Sequence, residues 1–342
     1  MSQPKEEPIP VLRHFGAAGD GLVDDSSAVE RYIENLSAHG GGTLFASDGV
    51  YGLSRTIVLP QGVSLQLMPG ATLLALPGFK GEAVVQTGAG DASTGEEDYT
   101  DTVIHGGIID GNGQPLVGLR IRKGARVHVG DLLVRDCLAK GIHVGVYKGY
   151  EVNFDNVRCL VTQGIKAIPG SIGFHIDKTT DCLVSELVVI GYETSVRSDS
   201  AANDFNLAHV WSYGNNCALK TCFHCNGHND SYTQCYADGP FVAAGERGYG
   251  FYVERPHTRI IGCRLYCSHF SPPDVMIGIY IAPTGTGGAY IGNHFMTRGP
   301  GHEMLAAFDG CCDGATFLAN TYSEHIRGGQ ILGMKSGGMP GS

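Results

Sequence analysis

Two carboxylates, Asp177 and Asp199, stand at the same place in consecutive copies of a short phrase, with His175 and Arg197 two residues before them. If the copies stack as neighbouring strands, the carboxylates lie about 5 Å apart, the spacing of the catalytic pair in a retaining glycosidase. Glu254 holds the same place two copies further on. It would stand roughly 9–10 Å from Asp199, at the upper edge of the inverting range. His175, Arg197 and Lys220 would hold these acids ionised, so a general acid would need its pKa raised by a like-charged neighbour. The same cations could bind an anionic sugar, or neutralise a uronate so that its α-proton is lost in β-elimination. Catalysis is therefore expected from Asp177, Asp199, Glu254, Arg197 and His175. Substrate binding is expected from His143, Lys220, Tyr252, Tyr280, Arg122, His228 and Asp230.

The elements that must position these residues follow from the phrase itself: small, apolar, any, apolar, any. It recurs as Gly118-Leu-Arg-Ile-Arg122, Gly141-Ile-His-Val-Gly145, Gly173-Phe-His-Ile-Asp177, Ser195-Val-Arg-Ser-Asp199, Ala218-Leu-Lys-Thr-Cys222, Gly250-Phe-Tyr-Val-Glu254 and Gly278-Ile-Tyr-Ile-Ala282. Its period of two marks a strand, with the second and fourth residues inward and the third and fifth outward. The starts lie roughly 22 to 32 residues apart, a solenoid repeat. After a polar turn a second alternating run follows, such as Cys182-Leu-Val-Ser-Glu-Leu-Val-Val. Short strands with no helix between them predict an all-β fold, a single-stranded right-handed parallel β-helix.

Stacked coil on coil, the outward column reads Arg120 and Arg122, His143, His175 and Asp177, Arg197 and Asp199, Lys220 and Cys222, Tyr252 and Glu254, then Tyr280. A plain ladder of paired charges is the ordinary reading of such a column. His, Arg and Tyr mixed with acids on one face, with long loops beside it, favour a site. Those loops are expected at Gln163–Ser171, Gly227–Gly248 and Ser268–Met276, with a polar excursion at Gly88–Asp101.

The formal charge of −10 argues against nucleic acid or an anionic membrane as the main partner. The 51 glycines suit a chain that turns sharply several times per coil. No apolar run approaches ~20 residues and no export signal opens the chain, so it reads as cytoplasmic as written, or secreted if a leader was removed. Eleven cysteines read as reduced thiols, with Cys137, Cys159, Cys182, Cys235 and Cys263 at core positions. Cys222 and Cys225, with His224, His228 and Cys235, have a zinc-like spacing, but residues three apart on a strand face opposite ways. Calcium would need the acids without their cationic neighbours. No metal or cofactor is expected.

Near the start, Phe15-Gly16-Ala17-Ala18-Gly19-Asp20-Gly21 and Asp24-Asp25 precede a helical stretch with Val29, Tyr32, Ile33 and Leu36 on one face. Ser27 and Glu30 are spaced as a capping box, Gly40–Gly42 would end the helix, and Thr43-Leu-Phe begins a strand. This segment resembles the opening of pectate-lyase-like β-helix proteins. The resemblance, with the repeats, covers roughly residues 11–325. It implies one domain over 1–342, with an N-terminal cap at 11–45, coils at 46–325 and a flexible tail at 326–342.

The resemblance implies a fold more than an activity, since such proteins include polygalacturonases, polysaccharide lyases, epimerases, fructotransferases and phage tailspikes. The polygalacturonase motifs are missing: Pro169-Gly-Ser-Ile-Gly173 and Glu193-Thr-Ser-Val stand where its acids should be, and no Arg-x-Lys follows. The Asp-Pro-His-Glu-like segment of alginate epimerases is absent too. Cleavage or transfer of glycosidic bonds in a groove on the column is the leading expectation. The rivals are a cytosolic cyclase, isomerase or lyase acting on a small substrate, and a glycan-binding phage-type spike, which would be a homotrimer.

Overall fold

The computed structural model describes residues 11–88, 101–122, 124–145, 149–212, 219–242, 245–267, 276–299, 302–326 and 331–332. The expected loops at 89–100 and 268–275, and nearly all of the expected tail, lie outside them. The chain forms a right-handed parallel β-helix in which each coil lays down three strands. In the central coils the first face holds Val188–Ile190, His209–Trp211, Tyr236–Asp238 and Arg264–Cys267. The second face holds Lys140–Val144, Ile172–Ile176, Thr194–Ser198, Thr221–Cys225, Gly248–Val253 and Met276–Ile281. The third holds Gly149–Asp155, Leu183–Ser185, Asp204–Asn206, Ser231–Thr233 and Arg259–Ile261.

Inward residues stack in register from coil to coil. Phe174 lies beside Val196, then Phe223, Phe251, Ile279 and Phe308. All are fully buried. The Phe223 and Phe251 rings stack at 4.5 Å, and Phe205 stacks on Tyr232 at 4.8 Å. The named cysteines fill gaps in this stack as free, buried thiols.

Each coil turns from the third face to the first through one left-handed residue. Asp131, Asn156, Glu186, Leu207 and Gln234 have φ between 49° and 55°. Each donates its N–H to a carbonyl of the next coil, as Glu186 does to Asn206 and Gln234 to Ile261. Polar side chains tolerate this region best, which is why Asp and Asn recur there. Behind the bends, buried amides tie coil to coil: Asn320 Oδ1 accepts the Asn293 N–H, and Asn293 Oδ1 accepts the Cys263 N–H, both at 2.9 Å.

A matching ladder at the corner between the second and third faces corrects one expectation. Asp230 is fully buried inside the solenoid, where its Oδ1 accepts the Asn203 N–H at 3.0 Å while Asn203 Oδ1 accepts the Cys182 N–H. It braces the corner and cannot touch a ligand on the column.

Helix Ser26–Ala38 covers the open N-terminal end with Val29, Tyr32 and Ile33 buried, and Tyr32 stacks on Phe15 at 4.2 Å. The helix starts two residues earlier than the Ser27 box requires, with Asp25 at its N-cap, so Ser27 and Glu30 instead receive Arg55. The acids before it hold the chain: Asp25 accepts from the N–H groups of Ala18 and Gly19, and Asp20 from those of Leu22 and Val23. The Gly-Asp-Gly motif is therefore structural. Residues Gly227–Gly248 also differ from expectation, because Ser231–Thr233 and Tyr236–Asp238 make this stretch a regular part of the coil.

Burial pushes the Asp230 carboxyl up to about 7. A carboxyl raised above its unfolded value near ~3.9 favours the folded state at acid pH, and that contribution is lost as pH rises from about 4 through 7. Asp230→Asn should therefore gain stability relative to the native chain as pH rises from 4 to 8, by on the order of 2–4 kcal/mol. Urea denaturation at the two pH values measures the difference; an equal gap at both would contradict it.

Candidate functional site

The parallel register brings Arg120, His143, His175, Arg197, His224, Tyr252, Tyr280 and Asp309 into one outward column on the second face. Two residues on in each strand, a second column carries Arg122, Asp177, Asp199, Asn226 and Glu254. Neighbouring rungs stand about 4.8 Å apart, so an imidazole in the first column reaches a carboxylate one coil up in the second. His175 Nε2 lies 2.8 Å from Asp199 Oδ2, His224 Nε2 lies 2.8 Å from Glu254 Oε2, and His143 Nε2 approaches Asp177 Oδ2 at 3.6 Å.

One rung departs from the expected alignment. The strand is Thr221–Cys225, four residues beyond the Ala218 phrase, because Phe223 and Cys225 fill the core positions. His224 and Asn226 thus take the outward places assigned to Lys220 and Cys222. Lys220 stands off the column, exposed, with its Nζ 3.4 Å from Glu193. His228 is exposed at the corner beyond Asn226, paired with Ala201. Arg122 sits at the edge of the cluster, two rungs before Asp177.

Asp199 is the centre of the cluster. Its Oδ2 accepts from His175 Nε2 and from Arg197 Nε at 2.7 Å, and its Oδ1 accepts from Asn226 Nδ2 at 2.7 Å. Burial opposes its ionisation, but these donors win and hold the carboxyl far below the usual carboxylate range. Lys140 closes the chain from the other side, with Nζ 2.8 Å from His175 Nδ1. An ammonium there makes Nδ1 the acceptor, which leaves the His175 proton on Nε2 facing Asp199. Burial lowers the pKa of both Lys140 and His175.

His143 stacks on His175, with ring centroids 4.8 Å apart and planes within 4°. Its Nε2 is buried and has no hydrogen-bond partner. Burial and the nearby Lys140, His175, Arg120 and Lys178 push its pKa down to about 3. Beyond the cluster, Tyr252 stacks on Tyr280 at 5.1 Å and Tyr249 packs edge-on against Tyr252, an aromatic wall along the same face.

The expected pair is present as geometry: ligand atoms of His175, Asp177 and Asp199 all lie within 4.8 Å of one another. That spacing also admits a metal ion, but Arg197 and Lys140 already serve this donor set and repel a cation. Sequence reasoning missed Lys140, His224, Asn226 and Tyr249. Strand alternation places Lys140 inward with Ile142 and Val144. It is the first residue of its strand, however, where the long side chain leaves the corner to reach His175. The His-bearing Cys222-Phe-His-Cys rung was visible in the sequence but was aligned four residues out of place.

No protein-family model matches the sequence, and comparison with curated proteins gives no match. Solved structures do match. The chain is similar to ORF18 of Geobacillus virus E2 at TM-score 0.63 and 15% identity, over 93% of this chain and 61% of that one. It is similar to the tailspike of E. coli bacteriophage HK620, solved with a pentasaccharide, at TM-score 0.63 and 15% identity, over 89% and 64% of the two chains. The A-module of the Azotobacter vinelandii mannuronan C-5 epimerase AlgE4 matches at TM-score 0.54 and 13% identity, over 94% and 99%. The fold these matches share with the chain is the parallel β-helix. The chain spans less than two thirds of each viral protein and nearly all of the epimerase module.

With a pKa of about 3, His143 stays neutral throughout the pH range in which an ordinary histidine titrates near ~6.5. Proton NMR of its ring should show no titration between pH 8 and 5. A step near pH 6 would mean that the cationic surroundings do not act as described.

Proposed function

We propose that the protein is a carbohydrate-active enzyme that cleaves an acidic glycan at this column by β-elimination. The observation that carries the reading is His143: a half-buried, neutral imidazole whose Nε2 has no hydrogen-bond partner, set among Lys140, Arg120 and Lys178 with Asp177 Oδ2 3.6 Å away. Cations around a free base suit a substrate that brings its own negative charge. A uronate carboxylate bound by Lys140 and Arg120, on the rung of His143 and the rung beside it, has its charge neutralised, which acidifies the hydrogen on the adjacent carbon. The same bound anion offsets the field that depresses His143 and raises its basicity.

His143 Nε2 then takes that proton, the C–H electron pair forms the new C=C bond, and the glycosidic C–O bond at the next carbon breaks. Lys140, whose ammonium burial makes more acidic, supplies the proton to the departing oxygen. Asp199 fixes His175 and Arg197. A paired-carboxylate hydrolysis is less well supported, because Asp199 is locked by three donors and held ionised, and so cannot give a proton. The tyrosine wall suits stacking of neighbouring sugar rings. Likeness to a mannuronan epimerase module adds weight, since loss of the same proton begins an epimerisation.

The test is a screen of uronate glycans for the ultraviolet absorbance of an unsaturated uronate, together with reducing ends. Both signals should appear, and His143→Ala and Lys140→Ala should each lower kcat/KM by about 10²-fold or more. Reducing ends without the absorbance would mean hydrolysis and would sink the elimination reading. Binding without either product would favour the spike.

A further inference from the structure

The first face carries a second cluster that the column chemistry does not use. Its outward residues over three successive rungs are His209 and Trp211, then Tyr236 and Asp238, then Arg264 and Tyr266. The register sets His209 beside Tyr236, Tyr236 beside Arg264, and Asp238 beside Tyr266. The His209 ring stacks on Tyr236 at 4.4 Å and meets Trp211 at 4.7 Å, tilted by 45°. On earlier rungs of this face the corresponding places hold Leu133 and Arg135, then Arg158 and Leu160, then Val188 and Ile190, so the aromatic cluster is local.

Two atoms in the cluster are left unsatisfied. His209 Nε2 and Asp238 Oδ1 are each shielded from solvent and have no hydrogen-bond partner. A buried polar atom in that state costs about 1–3 kcal/mol, and in a native protein it calls for an explanation. Burial raises the Asp238 carboxyl to about 6 and lowers the His209 imidazole, as expected for groups with no compensating partner.

We propose that this cluster is a second, non-catalytic site for a neutral sugar ring, with Trp211 and Tyr236 as its platform. A sugar offers an apolar C–H face to stack on the rings. Its hydroxyls can donate to Asp238 Oδ1 and bond to His209 Nε2. Neutral sugars fit better than acidic ones, because the cluster's carboxylate is the group that lacks a donor and its single arginine, Arg264, is exposed at the margin. The site lies on a different face from the column, where it would hold a glycan chain without taking part in its chemistry. The inference does not depend on the elimination reading.

Trp211 is the chain's one tryptophan, so tryptophan fluorescence reports this face alone. The full chain is titrated with neutral hexose oligosaccharides (gluco-, galacto- and manno-hexaoses), following tryptophan emission. At least one should give a saturable change. Asp238→Ala and the milder Asp238→Asn should weaken it about tenfold, while the circular dichroism spectrum stays unchanged and the melting temperature does not fall. Lys140→Ala, which disables the column, should leave it unaltered. No saturable change with any of the three sugars overturns the proposal, as does a change that Lys140→Ala abolishes. An emission maximum that moves with protein concentration in step with sedimentation would assign the face to a second copy of the chain instead.

Discussion

The parallel register between successive coils is the constraint on which the rest of this structure depends. Each strand bonds to its equivalent one coil away, so inward side chains stack on their counterparts and outward ones line up at about 4.8 Å. The buried series from Phe174 to Phe308 fixes that register, because a slip by one residue would turn every aromatic outward. The buried Asn and Asp ladders at the corners fix it again in the polar groups, since each side chain accepts a backbone N–H from the coil below.

The column inherits its chemistry from this spacing. Carboxylates two residues after a first-column side chain, each facing the imidazole one coil before, give the diagonals His143 to Asp177, His175 to Asp199 and His224 to Glu254. Where Lys140 joins, a chain of contacts runs from Lys140 through His175 to Asp199, and on through Asn226 to Arg255. Every acceptor of Asp199 is committed, so this residue organises its neighbours and does not exchange a proton. His143 is the opposite case, packed against His175 yet with a ring nitrogen that nothing satisfies.

The opening Gly-Asp-Gly motif has a similar lesson. Asp20, Asp24 and Asp25 spend their oxygens on backbone N–H groups around the capping helix, where Ser26 and Ser54 both donate to Asp24. Their job is to hold the plug over the end of the apolar coil. This explains why a motif so informative about the fold carries no information about the substrate.

The sequence by itself determined the β-helix, its capping helix and the outward pairing of His175 with Asp177 and Arg197 with Asp199, because alternation on a strand depends only on neighbours in the chain. It also placed the Tyr252 and Tyr280 rungs and the buried thiols. The alignment failed at Ala218, where two phrases of similar pattern compete and only packing against Val196 and Phe251 selects Phe223. Lys140 escaped because alternation breaks down at the end of a strand, where the corner's shape aims a long side chain. Asp230 looked like a loop acid until the coil closed around it, for burial is a property of the whole stack. Which donors bind Asp199, and that His143 has none, are matters of distances between coils that only the tertiary structure sets.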